Sequence, residues 1–256
     1  MPTGTEIMTR AAVLLNDTDF VRWPCAELCE WINEATRAIV LAKPSASSKT
    51  LIVKLAAGTR QTLNPYGLNP ASTGTFTGGA YPLTLLNVLR NVTVALDSNG
   101  VVTTTAGGRM IKAVDRALLD AQDPNWHNKA ILQQKREVRN FTFNETVPLE
   151  FFVYPGNDGT GYVEVEAGVL PQPIKAILPV PNPQGYKLTQ PQSFNQQIGL
   201  PEPYSVPILD YVLYRCQMKD DIDGASGRAA VHYQQFATAI GMKVQVEQAH
   251  SPNAKR

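Results

Sequence analysis

The two ends of this chain share one hydrophobic rhythm, and the stretch between them has another. Near both termini apolar residues recur at three- and four-residue steps, the spacing of helices that bury one face. From about residue 50 to residue 168 the pattern changes to alternation, Gly/Pro turns and a few short helical pieces. The expected class is α+β: a helical bundle formed by the N- and C-terminal helices, with a β-rich insertion between them. The expected boundaries are a discontinuous bundle at 1–48 and 204–248, a β-rich module at 49–170, a Pro/Gln-rich extended segment at 171–203 and a flexible C-terminal tail at 249–256. A body closed by sequence-distant termini suggests a scaffold that projects a β module.

The local signals place the elements. Thr3 and Glu6 stand at capping-box spacing and open a first helix, with Ile7, Met8, Ala11, Leu14 and Leu15 as its stripe. Pro24 opens a second, where its missing N–H costs nothing. Cys25, Leu28, Ile32, Ala35, Ile39 and Ala42 follow, Trp31 widens the stripe, and Lys43-Pro44 stops it. Residues 45–48 read as a polar hinge, 51–56 as a strand, and Gly58 as the start of a turn. Residues 64–80 read as a long exposed loop. Residues 85–96 and 101–105 read as a hairpin about Asn99-Gly100, and Gly107-Gly108 as a break. A short helix at 112–122 and a strand at 137–142 follow. Residues 149–154 and 162–169 then read as a second hairpin across Pro155-Gly156-Asn157-Asp158-Gly159. Prolines keep 171–203 out of helix and central strand. A helix from Ser205, with Pro207 in its first turn, breaks at 220–224. The last, from Ala225 to about Glu247, carries Ala229, Tyr233, Phe236, Ile240 and Val244. The expected bundle core is Leu14, Leu28, Trp31, Ile32, Ile39, Leu209, Val212, Leu213, Phe236 and Ile240.

Charge and motif chemistry exclude more than they suggest. The chain has 256 residues, 23 basic and 22 acidic, net +1. It therefore offers no single-signed field for nucleic acid or anionic lipid. Charged residues make up only 18%, below the usual ~25%, and amides and hydroxyls fill the gap, as on surfaces that partners cover. Cys25, Cys29 and Cys216 form no disulfide framework and read as small core hydrophobes. No apolar run approaches the ~20 residues of a membrane span, and 1–10 show no signal peptide. Nucleotide, zinc-protease and hydrolase motifs are missing. His127, His232 and His250 stand apart, without a ligand at metal spacing. Asp220, Asp221 and Asp223 before Gly224 lack the end carboxylates of a calcium loop, since Lys219 and Ala230 occupy those positions. Trp23, Trp31 and Trp126 read as anchors rather than base-stacking platforms. Lys135-Arg136-Glu137-Val138-Arg139 reads as a solvated edge strand. Of the candidate carboxylates for glycan hydrolysis, Glu145, Glu150, Glu164 and Glu166, the last two sit on an outward strand face. The expectation is no enzyme, no cofactor and no metal.

Ordered blocks carry a family resemblance. Arg22-Trp23-Pro24, Glu27-Leu28, Trp31-Ile32-Asn33-Glu34-Ala35, Ile39-Val40 and Lys43-Pro44 resemble the opening of head-to-tail adaptor (connector) proteins of tailed bacteriophages, the tail tubular protein A group. Ala57-Gly58-Thr59-Arg60-Gln61-Thr62-Leu63, Val88-Leu89-Arg90-Asn91, Val114-Asp115-Arg116-Ala117-Leu118-Leu119-Asp120, Asp123-Pro124-Asn125-Trp126-His127 and Phe151-Phe152-Val153-Tyr154-Pro155 continue it in order. Residues 211–236, with Arg228-Ala229 and Phe236, are similar to the closing helix pair. Segments 64–81 and 171–203 are extended relative to the pattern. The resemblance implies a structural virion protein made in the host bacterial cytoplasm and built into the portal–tail junction. It implies a homo-oligomeric ring, dodecameric to match the portal ring, that also meets the tail nozzle or tube protein and lets DNA pass without sequence-specific binding. It places Gln248, Ala249, His250, Ser251, Pro252, Asn253, Ala254, Lys255 and Arg256 against the portal. The rival reading is a β-rich carbohydrate- or host-receptor-binding module of a phage tail, in which the Thr/Gly-rich region takes a glycan.

Overall fold

The computed structural model describes residues 1–63, 81–96, 98, 102–144, 146–178, 182–219 and 225–250. The expected loop at 64–80, most of the turn at 97–100, Glu145, the break at 220–224 and residues 251–256 lie outside the described residues. The fold is α+β. In chain order the elements are α1 (Gly4–Leu14), α2 (Cys25–Ala42), β1 (Ser48–Lys54), β2 (Ala57–Thr62), β3 (Tyr81–Leu96), β4 (Val102–Met110), β5 (Lys112–Ala113), α3 (Arg116–Gln122), β6 (Asn140–Phe143), β7 (Glu150–Asp158), β8 (Tyr162–Leu170), α4 (Ser205–Lys219) and α5 (Ala225–His250). Contacts divide the chain into a helical unit, Met1–Ser47 with Pro171–Arg256, and a β unit, Ser48–Leu170.

In the helical unit, α1 begins as its sequence dictates. The Glu6 N–H donates to Thr3 Oγ1 at 3.2 Å, and the Thr3 N–H donates to the Glu6 carboxylate at 2.9 Å. Ile7, Met8, Ala11 and Ala12 are buried. Leu14, expected in the core, is 63% exposed. The buried face is centred on Ile7, Met8, Ala11 and Ala12, and at ~100° per residue Leu14 stands about a quarter turn from that centre. The helix ends there, with Asn16 in the left-handed region at φ 53°. The Asp17 carboxylate then accepts from Val21 N at 3.0 Å, Arg22 N at 3.0 Å and Trp23 N at 2.9 Å. That turn delivers Pro24 as the cap of α2.

Along α2, Leu28, Trp31, Ile32 and Ile39 are buried. Leu209, Val212 and Leu213 of α4, and Phe236 and Ile240 of α5, are buried as well. The rings of Tyr211 and Phe236 meet at 5.0 Å, and those of Tyr214 and Tyr233 at 5.1 Å. These pairs step in opposite directions, so α4 and α5 run antiparallel. Tyr233, expected on the inner stripe, is 49% exposed and lies against Tyr214 instead. The helix also continues past the expected end at Glu247, through Gln248 and Ala249 to His250.

The proline-rich return from Pro171 forms neither α-helix nor sheet strand among its described residues. It makes short 3-10 turns at Pro191–Phe194 and Glu202–Tyr204 and buries Ile174, Phe194, Ile198 and Leu200. The Gly4 N–H donates to Gln196 O at 3.0 Å, and the Ile198 N–H to Pro2 O at 3.0 Å. Both bonds tie this return to the chain's N-terminal residues.

The β unit packs two four-stranded sheets, β1-β8-β3-β4 and β2-β7-β6-β5. Their inner faces supply one core: Val53, Leu85, Val88, Val163 and Val165 from the first, Phe141, Phe151 and Val153 from the second, with Leu55 and Leu63 flanking β2. The expected hairpin of 149–154 with 162–169 does not form. β7 pairs with β2 and β6, while β8 pairs with β1 and β3. The chain changes sheet at the glycines, where Leu55 N donates to Gly161 O at 2.9 Å. Gly58 does not start a turn either. It lies within β2 at φ +111°, where the register shifts. Nor do Gly107 and Gly108 break β4. A Cβ on Gly107 would meet the Arg90 guanidinium at 2.6 Å, and one on Gly108 would meet Asn91 O at 3.0 Å. The pair lets β4 lie close against β3 where that register shifts. The basic run 135–139 forms one isolated bridge, Lys135 with Asn157, and turns Val138 fully inward.

Candidate functional site

Among the described residues several primary amides make buried bonds to backbone. In the helical unit, Asn33 Nδ2 donates to Ile174 O at 3.0 Å, and Asn33 Oδ1 accepts from Ile174 N at 2.9 Å. The Cys29 thiol reaches the same carbonyl at 3.2 Å. In the β unit, Asn91 bonds the N–H and C=O of Val138 at 2.9 and 2.8 Å, and Arg109 O at 3.0 Å. Gln61 holds the Ala56 N–H and C=O at 2.7 and 2.9 Å. Asn157 donates to Lys135 O and Arg136 O, and accepts from the N–H groups of Gly159 and Gly161. Each amide clamps backbone at a turn, a bulge or the irregular chain beside a strand, and so helps to meet the need of buried peptide groups for partners. The amide-rich composition was expected to sit on the surface. Part of it is this internal carpentry. Asn33 carried the legible signal, a primary amide four residues after Cys29 among the mostly apolar buried positions of α2.

The candidate chemical groups are dispersed. Glu150 pairs with Arg60, and Glu164 with Arg90 at 2.5 Å. The Arg60 guanidinium holds the Glu150 carboxyl below its usual range. His127 Nδ1 meets Thr59 Oγ1 at 2.7 Å, and burial lowers its basicity, with Arg116 adding to that. His232 pairs with Asp210 at 3.0 Å between α5 and α4. Trp126 Nε1 donates to Asp120 at 2.7 Å, and Trp23 Nε1 to Cys216 O at 3.3 Å, so both indoles act as anchors. Burial pushes the thiols of Cys25 and Cys29 up to about 11, and that of Cys216 up to about 12. Thiols so protonated are poor nucleophiles at neutral pH. Cys25 and Cys29 line a recess of about 710 Å³ with Phe20, Ile174 and Leu188. No group of three or more His, Cys, Asp or Glu fit to hold a metal occurs among the described residues.

Val13, Leu14, Val21, Leu41 and Met218 of the helical unit are exposed apolar side chains. Helix α5 spans 26 residues, about 39 Å, against 15 residues, about 22 Å, for α4. The antiparallel register set by the tyrosine pairs runs out near the start of α4, so the last turns of α5 continue past it. Of the expected portal contacts, Gln248, Ala249 and His250 are on that overhanging backbone, and Ser251 onward lie outside the described residues. No helix among the described residues is long and apolar enough to cross a membrane.

Among the described residues the clamping amides act on the fold's own backbone, and single apolar side chains stand exposed on the helical unit. The SU10 adaptor protein family model matches residues 2–256, and the chain belongs to that family, one of phage head-to-tail adaptors. A search of curated proteins gives no match.

Proposed function

We propose that this protein is a virion component at the portal–tail junction, where identical copies form a ring between the portal vertex and the tail. The observation that carries the reading is the family match over residues 2–256. In this reading the terminal helices form a bundle that carries the β unit as an insertion, and the C-terminal residues Gln248 to Arg256 reach the portal. The β unit then meets the tail nozzle or tube protein. The ring is dodecameric, to match the portal, and DNA passes through it without sequence-specific contact. A net charge of +1 suits a conduit that must not grip its cargo. The work is mechanical: bridging, sealing and matching symmetry, without turnover. A heterologous contact that closes on itself is sufficient to build the ring.

The test is native mass of the purified protein alone and beside the portal ring. A ring-sized species, or a stoichiometric complex with the portal, is expected. A monomer indifferent to the portal refutes the reading, and a sugar-dependent rise in melting temperature would then favour the glycan-binding module.

A further inference from the structure

We propose that β4 of one copy pairs with β1 of the next, so that ring neighbours share one continuous antiparallel sheet; this deepens the ring reading and rests on it. The sheet β1-β8-β3-β4 is antiparallel throughout. Its outer strands are β1, of 7 residues, and β4, of 9. Each pairs on one side only among the described residues.

An unpaired strand edge is a template for another chain, and proteins normally guard it with charge, proline, bulges or brevity. The other three edges follow that rule by charge or brevity, whereas β4, which bulges at 102–104 and 107–110, is uncharged before Arg109. β5 has 2 residues, β2 carries Arg60, and β1 carries Lys49 and Lys54. β4 reads Val-Thr-Thr-Thr-Ala-Gly-Gly before its first charge at Arg109, and residues 103–110 are all exposed. It pairs with β3 in regular register from Thr104 to Gly107. β8 stops opposite Val92. Beyond that point β3 and β4 continue as a two-stranded ribbon, an arrangement of marginal stability until a third strand joins.

Polarity selects the occupant. With four antiparallel strands, β1 and β4 run in opposite directions. A second copy in the same orientation therefore presents its β1 antiparallel to β4. The two edges are different strands, so the contact is heterologous and repeats from copy to copy, as a ring when the rotation closes. Pairing of β4 with β4 would be isologous and stop at a dimer. Charge permits the match. Lys49 and Lys54 bracket the uncharged Thr50, Leu51, Ile52 and Val53, and β4 is uncharged up to Gly108. No like-charged pair arises across the junction in that stretch.

Thr50 lies opposite Glu166 and Thr105 opposite Val94. By strand alternation both point away from the core, because Val165 and Asn91 point into it. Thr50→Cys is combined with Thr105→Cys, and separately with Thr103→Cys to cover the adjacent register. The three native cysteines are buried. On mild oxidation of the assembled protein, one double variant is expected to give a covalent ladder of trimers and larger species. Rings seen by native mass without any such ladder overturn the strand pairing and leave the ring reading standing. A covalent dimer from Thr105→Cys alone also overturns it, in favour of β4–β4 contact. Absence of any ring, with or without portal, removes the ring reading and this inference together. As a second measurement, Thr105→Lys is expected to lower ring yield at least tenfold with unchanged thermal unfolding. Unchanged yield overturns the proposal.

Discussion

Replacing Asn33 by alanine removes the clamp between α2 and the returning segment. Asn33 is 7% exposed and Ile174 is 3% exposed, so water cannot replace the amide without opening the contact. The Ile174 N–H loses the Asn33 carbonyl, its acceptor at 2.9 Å. A buried donor left without a partner costs about 1–3 kcal/mol. The Ile174 carbonyl loses Asn33 Nδ2 but keeps the Cys29 thiol at 3.2 Å, so that loss is only about 0.5–1.5 kcal/mol. The expected destabilisation is about 1.5–4.5 kcal/mol, a large share of the ~5–15 kcal/mol that holds a typical domain. Cys29→Ala alone leaves both Asn33 bonds and should cost about 1 kcal/mol. The double variant should exceed the sum by at least ~0.5 kcal/mol, because the carbonyl then loses both donors. The assay is urea unfolding fitted with separate transitions for the two units, together with exchange of the Ile174 amide proton. If Asn33→Ala stays within about 0.5 kcal/mol of wild type and the Ile174 amide remains protected, the clamp argument is wrong.

Arg60→Ala should return the Glu150 titration toward the ordinary carboxylate range, read by NMR of the side-chain carboxyl. Because the folded value is depressed, the pair's contribution is present above the ordinary value and lost as pH falls through the lowered one; an unmoved Glu150 titration would contradict this. Cys25, Cys29 and Cys216 should resist iodoacetamide at pH 7 in the folded protein and all react in denaturant, counted by mass. Gly161→Ala should destabilise the β unit by about 1–3 kcal/mol in urea, since its Cβ would collide with Arg136 O and the Asn157 amide. Trp31→Ala should cost about 3–5 kcal/mol, whereas Leu14→Ser, at a 63% exposed position, should stay within about 0.5 kcal/mol.

What local chemistry decides was legible. The Thr3–Glu6 box and Pro24 place two helix starts, and Lys43-Pro44 places one stop, because capping and missing donors act within a turn of chain. Partner choice was not legible. Residues 150–158 and 162–170 have the alternation and turn residues of a hairpin. Yet Asn157 and the glycines after it send the chain into the other sheet, where β1 and β3 are the partners. Gly107 and Gly108 gave the signal of a break, and only the approach of Arg90 and Asn91 reveals their packing role. Leu14 failed by angle: its spacing to Ile7 and Ala11 is helical, but the buried face is centred about a quarter turn away. At the level of the site, the family resemblance rested on short blocks in order. No local signal showed which edge or helix face would be left open.

The amide clamps have a consequence for how long the protein lasts rather than how firmly it folds. An amide carries no charge at any pH a particle meets, so these joints ignore acidity and ionic strength. Their weakness is slow hydrolysis, and Asn and Gln are the residues that heat degrades. At Asn33 or Asn91 hydrolysis would replace a donor with a carboxylate facing a backbone carbonyl, a buried negative charge that keeps one backbone N–H and has no cation beside it among its hydrogen-bond partners. Chemical ageing at one of these few amides would therefore be felt as the loss of a backbone joint.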